Sequence, residues 1–285
     1  MSATAAAPPI AVPAREAVMA RAGGENFPVA GRFLPRVERS RLLAIYGFAR
    51  LADDLGDEVP GDRSALLDWL EDEVDRLYDG RRPTHPVVRA LLPAVRELAI
   101  PPEPFRRLID ANRRDQVVCR YRTFDELLDY CRLSAAPVGE LALHVFEAAT
   151  PDRIRLSERI CAALQVTEHL QDVAEDRARG RVYLPAADLE RFGCTDADLR
   201  ARAPSPALRA VMALEARRAR ALLAEGAPLV RNLAIRPRIA VAAFIAGGRA
   251  ALDALERAGY DVLGRRPRPS RRAFALELGR AVGGR

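Results

Sequence analysis

The stretch Gln165-Val-Thr-Glu168-His-Leu-Gln171-Asp172-Val-Ala-Glu175-Asp176-Arg-Ala-Arg179-Gly-Arg181-Val-Tyr183-Leu-Pro185 decides how this chain reads. At 3.6 residues per turn, Gln165, Glu168, Asp172, Glu175, Asp176 and Arg179 share one helical face, and Ala163, Val166, Leu170 and Val173 share nearly the opposite one. The second set is a core stripe. The four carboxylates of the first stand roughly 5–6 Å from their neighbours and repel, so they stay charged only where they are solvated or hold cations. Hard oxygen ligands at this spacing suit Mg2+, usually completed by water and substrate phosphate. A solvated helix face is the competing reading, and one stripe alone does not decide between them.

A second stripe lies upstream. Tyr46, Arg50, Asp53 and Asp57 fall at i, i+4, i+7 and i+11, a single face, while Leu42, Ile45, Ala49 and Ala52 form a separate apolar one. Two such stripes, each beside arginine and tyrosine, can hold several Mg2+ ions between them and neutralise a diphosphate as it leaves. Loss of diphosphate from an allylic or cyclopropylcarbinyl carbon leaves a carbocation, so the remaining cavity is expected to be apolar and dry. Arg50 and Arg181 are the candidate diphosphate clamps. Tyr46 and Tyr183 are candidates to hydrogen-bond phosphate or to stabilise the cation.

Around these stripes helix signals dominate. The periodicity predicts helices over 38–58, 63–79, 86–98, 102–120, 124–149, 152–179, 205–225 and 236–258 and a short one over 270–281, separated by Pro and Gly. No run alternates with period two over enough residues to build a sheet, so the chain is all-α. It is long enough for one or two domains, and the absence of a Gly/Ser/Pro-rich linker favours a single domain over residues 21–285. Residues 1–20, rich in Ala and Pro, read as a disordered tail rather than a targeting segment. Trp69, with Leu66 and Leu70, reads as core.

The net charge is +6, and all 45 basic residues are arginine. With no lysine, Schiff-base and lysine-nucleophile chemistry are excluded. Positive charge favours anionic partners, and guanidinium groups suit phosphate oxygens. The arginines are spread among 39 acidic residues rather than gathered in one stripe, which argues against nucleic acid. Cys119, Cys131, Cys161 and Cys194 show no metal-ligand spacing and read as reduced thiols of a cytoplasmic protein. No apolar run reaches the roughly 20 residues of a membrane span.

The motifs Ala44-Ile-Tyr-Gly-Phe-Ala-Arg-Leu-Ala-Asp-Asp-Leu-Gly-Asp57 and Leu164 to Pro185 resemble those of the squalene/phytoene synthase family of trans-isoprenoid diphosphate synthases. Tyr130-Cys-Arg-Leu-Ser-Ala-Ala-Pro-Val-Gly-Glu140 and Ala258-Gly-Tyr-Asp-Val262 add weaker support. The resemblance runs from about Glu25 to Gly264. It implies the isoprenoid synthase fold, a helical bundle around a central apolar cavity, with two or three Mg2+ ions binding diphosphate. By position, it implies that Asp53, Asp57, Asp172 and Asp176 are metal ligands, joined by Glu168. Tyr46, Arg50, Gln165, Arg181 and Tyr183 match positions at the diphosphate or reaction centre, Phe27 a substrate-binding position. Asp54 and Glu175 are expected to support the ligands from behind.

Three departures point to a branch. Glu168 stands where many members carry Asn, Gln171 where condensing enzymes commonly carry Arg, and Gly24-Glu-Asn-Phe27 replaces a Ser-x-Ser-Phe arm. The branch it is most similar to is the hydroxysqualene synthases of hopanoid biosynthesis, which implies ionisation of presqualene diphosphate, rearrangement and quenching by water, with no nicotinamide. On this reading the enzyme is a carbon-oxygen lyase. The alternatives are a transferase joining two farnesyl or geranylgeranyl diphosphates head to head, and a non-catalytic isoprenoid-binding or scaffold protein. His169 lies off the centre of its stripe and reads as structural rather than as a general base. The arginines at 265, 266, 268, 271 and 272 read as a solvated tail or as a contact with the inner membrane face. Transient contact with neighbouring pathway enzymes is a further expectation.

Overall fold

Helix starts in this chain are fixed by the side chains that cap them. Asp62, Thr123, Thr150, Ser205 and Ser270 each accept a hydrogen bond from the backbone N–H three residues on, at 3.1, 3.2, 3.4, 3.2 and 3.2 Å. Each satisfies one of the orphan donors of a first helical turn. The computed structural model describes residues 12–20, 31, 33–264 and 266–283. Among the described residues it is built from fourteen α-helices: α1 (Arg15–Met19), α2 (Arg36–Asp57), α3 (Arg63–Tyr78), α4 (Pro86–Arg89), α5 (Leu92–Glu97), α6 (Glu103–Arg114), α7 (Phe124–Ser134), α8 (Ala136–Val145), α9 (Pro151–Gln171), α10 (Val173–Ala178), α11 (Ala186–Arg191), α12 (Pro206–Gly226), α13 (Ile235–Arg257) and α14 (Arg271–Val282). No strand forms among them. The one β-bridge is an isolated parallel contact between Arg120 and Val182.

Two buried clusters flank the site. One is built by α2, α3 and α6, where Phe48 meets Phe105 edge-on at 5.0 Å and Leu51, Leu55, Leu67 and Leu70 are fully enclosed. The other joins α9, α12 and α13 through residues such as Ala163, Val166, Leu223 and Leu252. Each large apolar side chain so buried contributes about 1.5–3 kcal/mol. The apolar faces read from sequence are the buried ones: Leu42, Ile45 and Ala52 on α2, and Ala163, Val166, Leu170 and Val173 along α9 and α10. Trp69 is buried with Leu66 and Leu70 as expected. The acidic stripes consequently turn away from both clusters and toward each other.

Several predicted elements are divided. The helix expected over 124–149 changes direction at Ala135 (φ −117°, ψ −43°), two residues before Pro137, whose ring cannot accept a regular preceding turn. The helix expected over 152–179 kinks at Asp172 (φ −109°, ψ 16°) between α9 and α10, although the Asp176 N–H still donates to the Asp172 carbonyl at 2.8 Å. The 86–98 segment splits into α4 and α5, and α11 was not foreseen. A disordered tail through residue 20 is also corrected. Residues 15–19 are helical, Val18 is fully buried, and the Pro13 carbonyl lies 3.1 Å from His85 Nε2. Phe27 and the rest of the Gly24–Phe27 arm lie outside the described residues.

Candidate active site

The last two turns of α2 carry Arg50, Asp53 and Asp57 to the wall of a cavity of about 370 Å³. Gln165, Glu168 and His169 of α9 stand on its other side, with Asp172 at the kink and Glu175 and Asp176 on α10. The two stripes read separately in sequence thus share one cavity. Tyr46 is half-buried and does not line it, and Asp54 turns inward instead, where it pairs with Arg50 at 2.8 Å. Arg50 also reaches Glu58 at 3.1 Å, so its guanidinium is held at the cavity edge by two carboxylates.

Arg181 and Tyr183 arrive from a short extended segment. Gly180, at φ +81°, ends α10 in the left-handed conformation, and the Arg181 N–H reaches back to the Asp176 carbonyl at 2.9 Å. This is the Schellman closure that glycine permits. The chain then runs beside residues 119–122, with Val182 N–H donating to the Cys119 carbonyl at 2.8 Å. In an extended segment alternate side chains share a side, which sends Arg181 and Tyr183 together into the cavity. Arg181 Nη2 then binds Asp57 Oδ1 at 2.7 Å.

Sequence reasoning missed Asn112 and Asp115 of the α6 end. Asn112 Nδ2 donates to Asp53 Oδ1 at 3.2 Å and to the Leu108 carbonyl at 3.1 Å. It stands so close to α2 that a Cβ at Gly56 would lie 2.2 Å from its Oδ1, which is why that position is glycine. Asp115 accepts from Tyr130 Oη at 2.6 Å and from Tyr183 Oη at 3.3 Å. Tyr183 in turn stacks on His169, ring centroids 3.6 Å apart, and His169 Nδ1 lies 3.6 Å from Asp176 Oδ2. His169 is therefore buried and packed at the cavity wall. A single Asn, Asp or Tyr at a helix end carries no spacing signal, so nothing in the sequence separated these residues from their neighbours.

The carboxylates strain against their surroundings. Asp53 opens on the cavity solvent, yet the enclosing protein, with Asp57, Asp54 and Asp115 nearby, pushes its pKa up to about 7 against the Asn112 hydrogen bond. Burial raises Asp172 to about 6, with Asp176 and Glu175 adding to the rise and Arg266 opposing it. Burial also raises Asp115. Groups crowded in this way gain from a divalent cation. Among the described residues no three His, Cys, Asp or Glu side chains already converge on one point. Carboxylate oxygens of this kind are hard donors, the type that a divalent cation such as Mg2+ would take.

Two further residues are placed by the segment that follows α13. Gln171 is 2% exposed and faces away from the cavity, where it donates to the Pro267 carbonyl at 2.8 Å. Arg266, read from sequence as part of a basic tail, lines the cavity with its Nε 2.9 Å from Asp172 Oδ1. Between the two stripes the cavity is polar. Apart from Leu108 and Ala111 its lining is polar or aromatic, because the apolar helix faces pack on one another.

Comparison with known proteins bears on this arrangement. The chain is 38% identical over 210 residues to a hydroxysqualene synthase of Rhodopseudomonas palustris, covering 73% of this chain and 71% of that protein. It is 37% identical over 175 residues to a phytoene synthase of Mycobacterium tuberculosis, covering 61% and 57%. The crystal structure of the squalene synthase HpnC of Alicyclobacillus acidocaldarius superposes with a TM-score of 0.80 at 44% identity, covering 87% of this chain and 94% of that one. These neighbours share the isoprenoid synthase fold. A family model for squalene/phytoene synthase matches residues 20–273, a span that takes in both acidic stripes and every cavity-lining residue, and the chain belongs to that family.

Proposed function

We propose that the protein ionises presqualene diphosphate and quenches the rearranged cation with water, giving hydroxysqualene and free diphosphate. The observation that carries this reading is the meeting of two acidic stripes and two arginines at one cavity whose inner wall is polar. Mg2+ bound with the substrate would supply positive charge to the phosphate oxygens. Asp53 and Asp57 on one wall, and Asp172, Asp176 and Glu168 on the other, are the side chains to hold it. Arg50 and Arg181 hold the diphosphate as the C–O bond breaks and its electron pair leaves with the anion. Tyr183 and Tyr130, pinned by Asp115, present ring faces and hydroxyls of fixed orientation to the developing cation. Gln165, whose amide lies 3.3 Å from His169 Nε2, and Ser134 add polar groups beside them.

A polar wall can keep water near a cation, which hydration needs and condensation must avoid. The water oxygen forms the new C–O bond and passes one proton to the released diphosphate. A glutamate at 168 in place of a neutral side chain adds charge at the same wall. The identity with a hydroxysqualene synthase supports this branch, and that with a phytoene synthase keeps head-to-head condensation as the second reading. Among the described residues no helix is long and apolar enough to cross a membrane. For so apolar a substrate we add peripheral contact with an anionic membrane through exposed Arg268, Arg271 and Arg272, which liposome co-sedimentation would test. The proposed reaction is tested by giving the protein and Mg2+, without reductant, presqualene diphosphate in one tube and farnesyl diphosphate in another. Hydroxysqualene from the first alone supports the proposal; condensation products from the second overturn it.

A further inference from the structure

The last turn of α2 ends without the donors that a continuing helix would supply. The partner of the Gly56 carbonyl would be the N–H of residue 60, which is proline and has none. The partner of the Asp57 carbonyl would be the Gly61 N–H, but the chain has turned off by then, with Gly61 at φ +117°. Side chains from outside the helix take both places. Gln116, two residues beyond the end of α6, donates from Nε2 to the Gly56 carbonyl at 3.0 Å. Arg63, the first residue of α3, donates from Nη2 to the Asp57 carbonyl at 3.0 Å. Those two carbonyls belong to the peptide units on either side of the Asp57 Cα. Gln116 Nε2 also donates to the Asn112 carbonyl at 2.9 Å, whose helical partner, the Gln116 backbone N–H, points instead to the Arg113 carbonyl at 3.2 Å. One amide thus closes two helix ends and ties them together. Both side chains bound a separate depression with residues 59–64 and do not line the cavity.

Resting on the diphosphate reading above, we propose that Gln116 and Arg63 are positioning residues for Asp57, holding the peptide units before and after it and so fixing where its carboxylate points. The last residue of a helix has no following turn to hold its backbone, and such ends fray. Side-chain direction follows the backbone dihedrals, so a frayed Asp57 would lose its aim. With both peptides gripped from outside, its carboxylate is held on the cavity side, where Arg181 meets it at 2.7 Å. The tie to the Asn112 carbonyl carries the placement further, because the Asn112 side chain donates to Asp53. Both aspartates of the first stripe therefore take their position from the end of α6. Arg63 has a second effect. Its positive charge at the carboxyl end of α2 opposes the negative end of the helix dipole, which otherwise adds to the repulsion among the carboxylates there.

The test is calorimetric titration of the full chain with inorganic diphosphate in Mg2+, with circular dichroism to establish that each variant is folded and hydrogen exchange to follow residues 55–60. Gln116→Met keeps the shape and removes both donors; Arg63→Met does the same for the Asp57 carbonyl. Each is expected to weaken Mg2+-dependent diphosphate binding about 10-fold and to speed exchange at the Glu58 and Val59 amides, which both close on the Asp54 carbonyl. The double variant binds less weakly than the product of the two losses, because releasing either peptide already frees the one carboxylate. Arg63→Lys, which keeps a donor and the charge, recovers most of the binding lost in Arg63→Met. Gln116→Glu, which faces two carbonyls with acceptors, loses more than Gln116→Met. Val117→Ala, an exposed neighbour, binds like the unaltered protein. Unchanged binding in either methionine variant, losses that multiply in full, no recovery in Arg63→Lys, or an equal loss in Val117→Ala overturns the proposal while leaving the diphosphate site standing. Failure of the unaltered protein to bind diphosphate with Mg2+ overturns both.

Discussion

Gly56→Ala tests whether the close approach of α2 and α6 is what aims the first stripe. The new Cβ would lie 2.2 Å from Asn112 Oδ1, 2.9 Å from its Cγ and 3.1 Å from its Cβ. Asn112 is 6% exposed and ties Asp53 to the α6 backbone, so it has little room to yield. Overpacking of this kind costs about 1–3 kcal/mol. Alanine recovers part of the ~1 kcal/mol helix preference over glycine, but only part, since Gly56 is the penultimate residue of α2. The clash wins. A net loss of about 1–2 kcal/mol lowers the melting temperature by roughly 2–8 °C for a chain of this size. Displacing Asp53 by even part of an ångström should slow diphosphate release at least about 10-fold. In the Gly56→Ala/Asn112→Ala double variant the space reopens and stability returns in part, whereas activity does not, because Asp53 still lacks its amide partner. Thermal melts and a diphosphate-release assay read both effects. A Gly56→Ala protein as stable and active as the original would refute the reasoning.

Other outcomes follow from the same contacts. Asp115→Asn keeps the shape but gives up the charge that holds two tyrosine hydroxyls, so kcat should fall about 10- to 100-fold in a folded protein; full activity would remove Asp115 from the site. Arg181→Gln frees Asp57 and loses a phosphate clamp, and steady-state kinetics should show kcat/KM down at least about 10-fold. Away from the cavity, Glu215 is 1% exposed and its pKa is pushed up to about 8 by burial and by Asp188, with Arg218 opposing. An acid whose folded pKa lies above its unfolded one favours folding at low pH, and that advantage is lost as pH rises from about 4.5 to about 8. The melting temperature of Glu215→Gln should therefore gain on that of the unaltered protein across this window; a constant difference would contradict the assignment.

What the sequence showed was what helical spacing controls. The carboxylates at 53, 57, 168, 172, 175 and 176 were legible because three- and four-residue steps place side chains on one face whatever else the chain does. The apolar faces of α2 and α9 were legible for the same reason. The joins were not. The kink at Asp172 breaks no propensity rule, and the turn at Ala135 was signalled only by Pro137. Asn112 and Asp115 matter through contacts with residues 59 and 15 positions away, which no local pattern encodes. Gln171 reaches across 96 residues to Pro267, and this bond turns Arg266 from a tail residue into a cavity residue. The polar lining of the cavity between the stripes was not legible either, because periodicity shows that a face is buried without showing what it is buried against.

The claim on which the account rests is that the two stripes act as one diphosphate-ionising site. Asp53→Ala and Asp172→Ala, each confirmed helical by circular dichroism, should be assayed for diphosphate release from presqualene diphosphate in Mg2+. The account predicts that either change alone abolishes release, since each removes an oxygen donor from a different wall of one cavity. Full activity in either variant would contradict it.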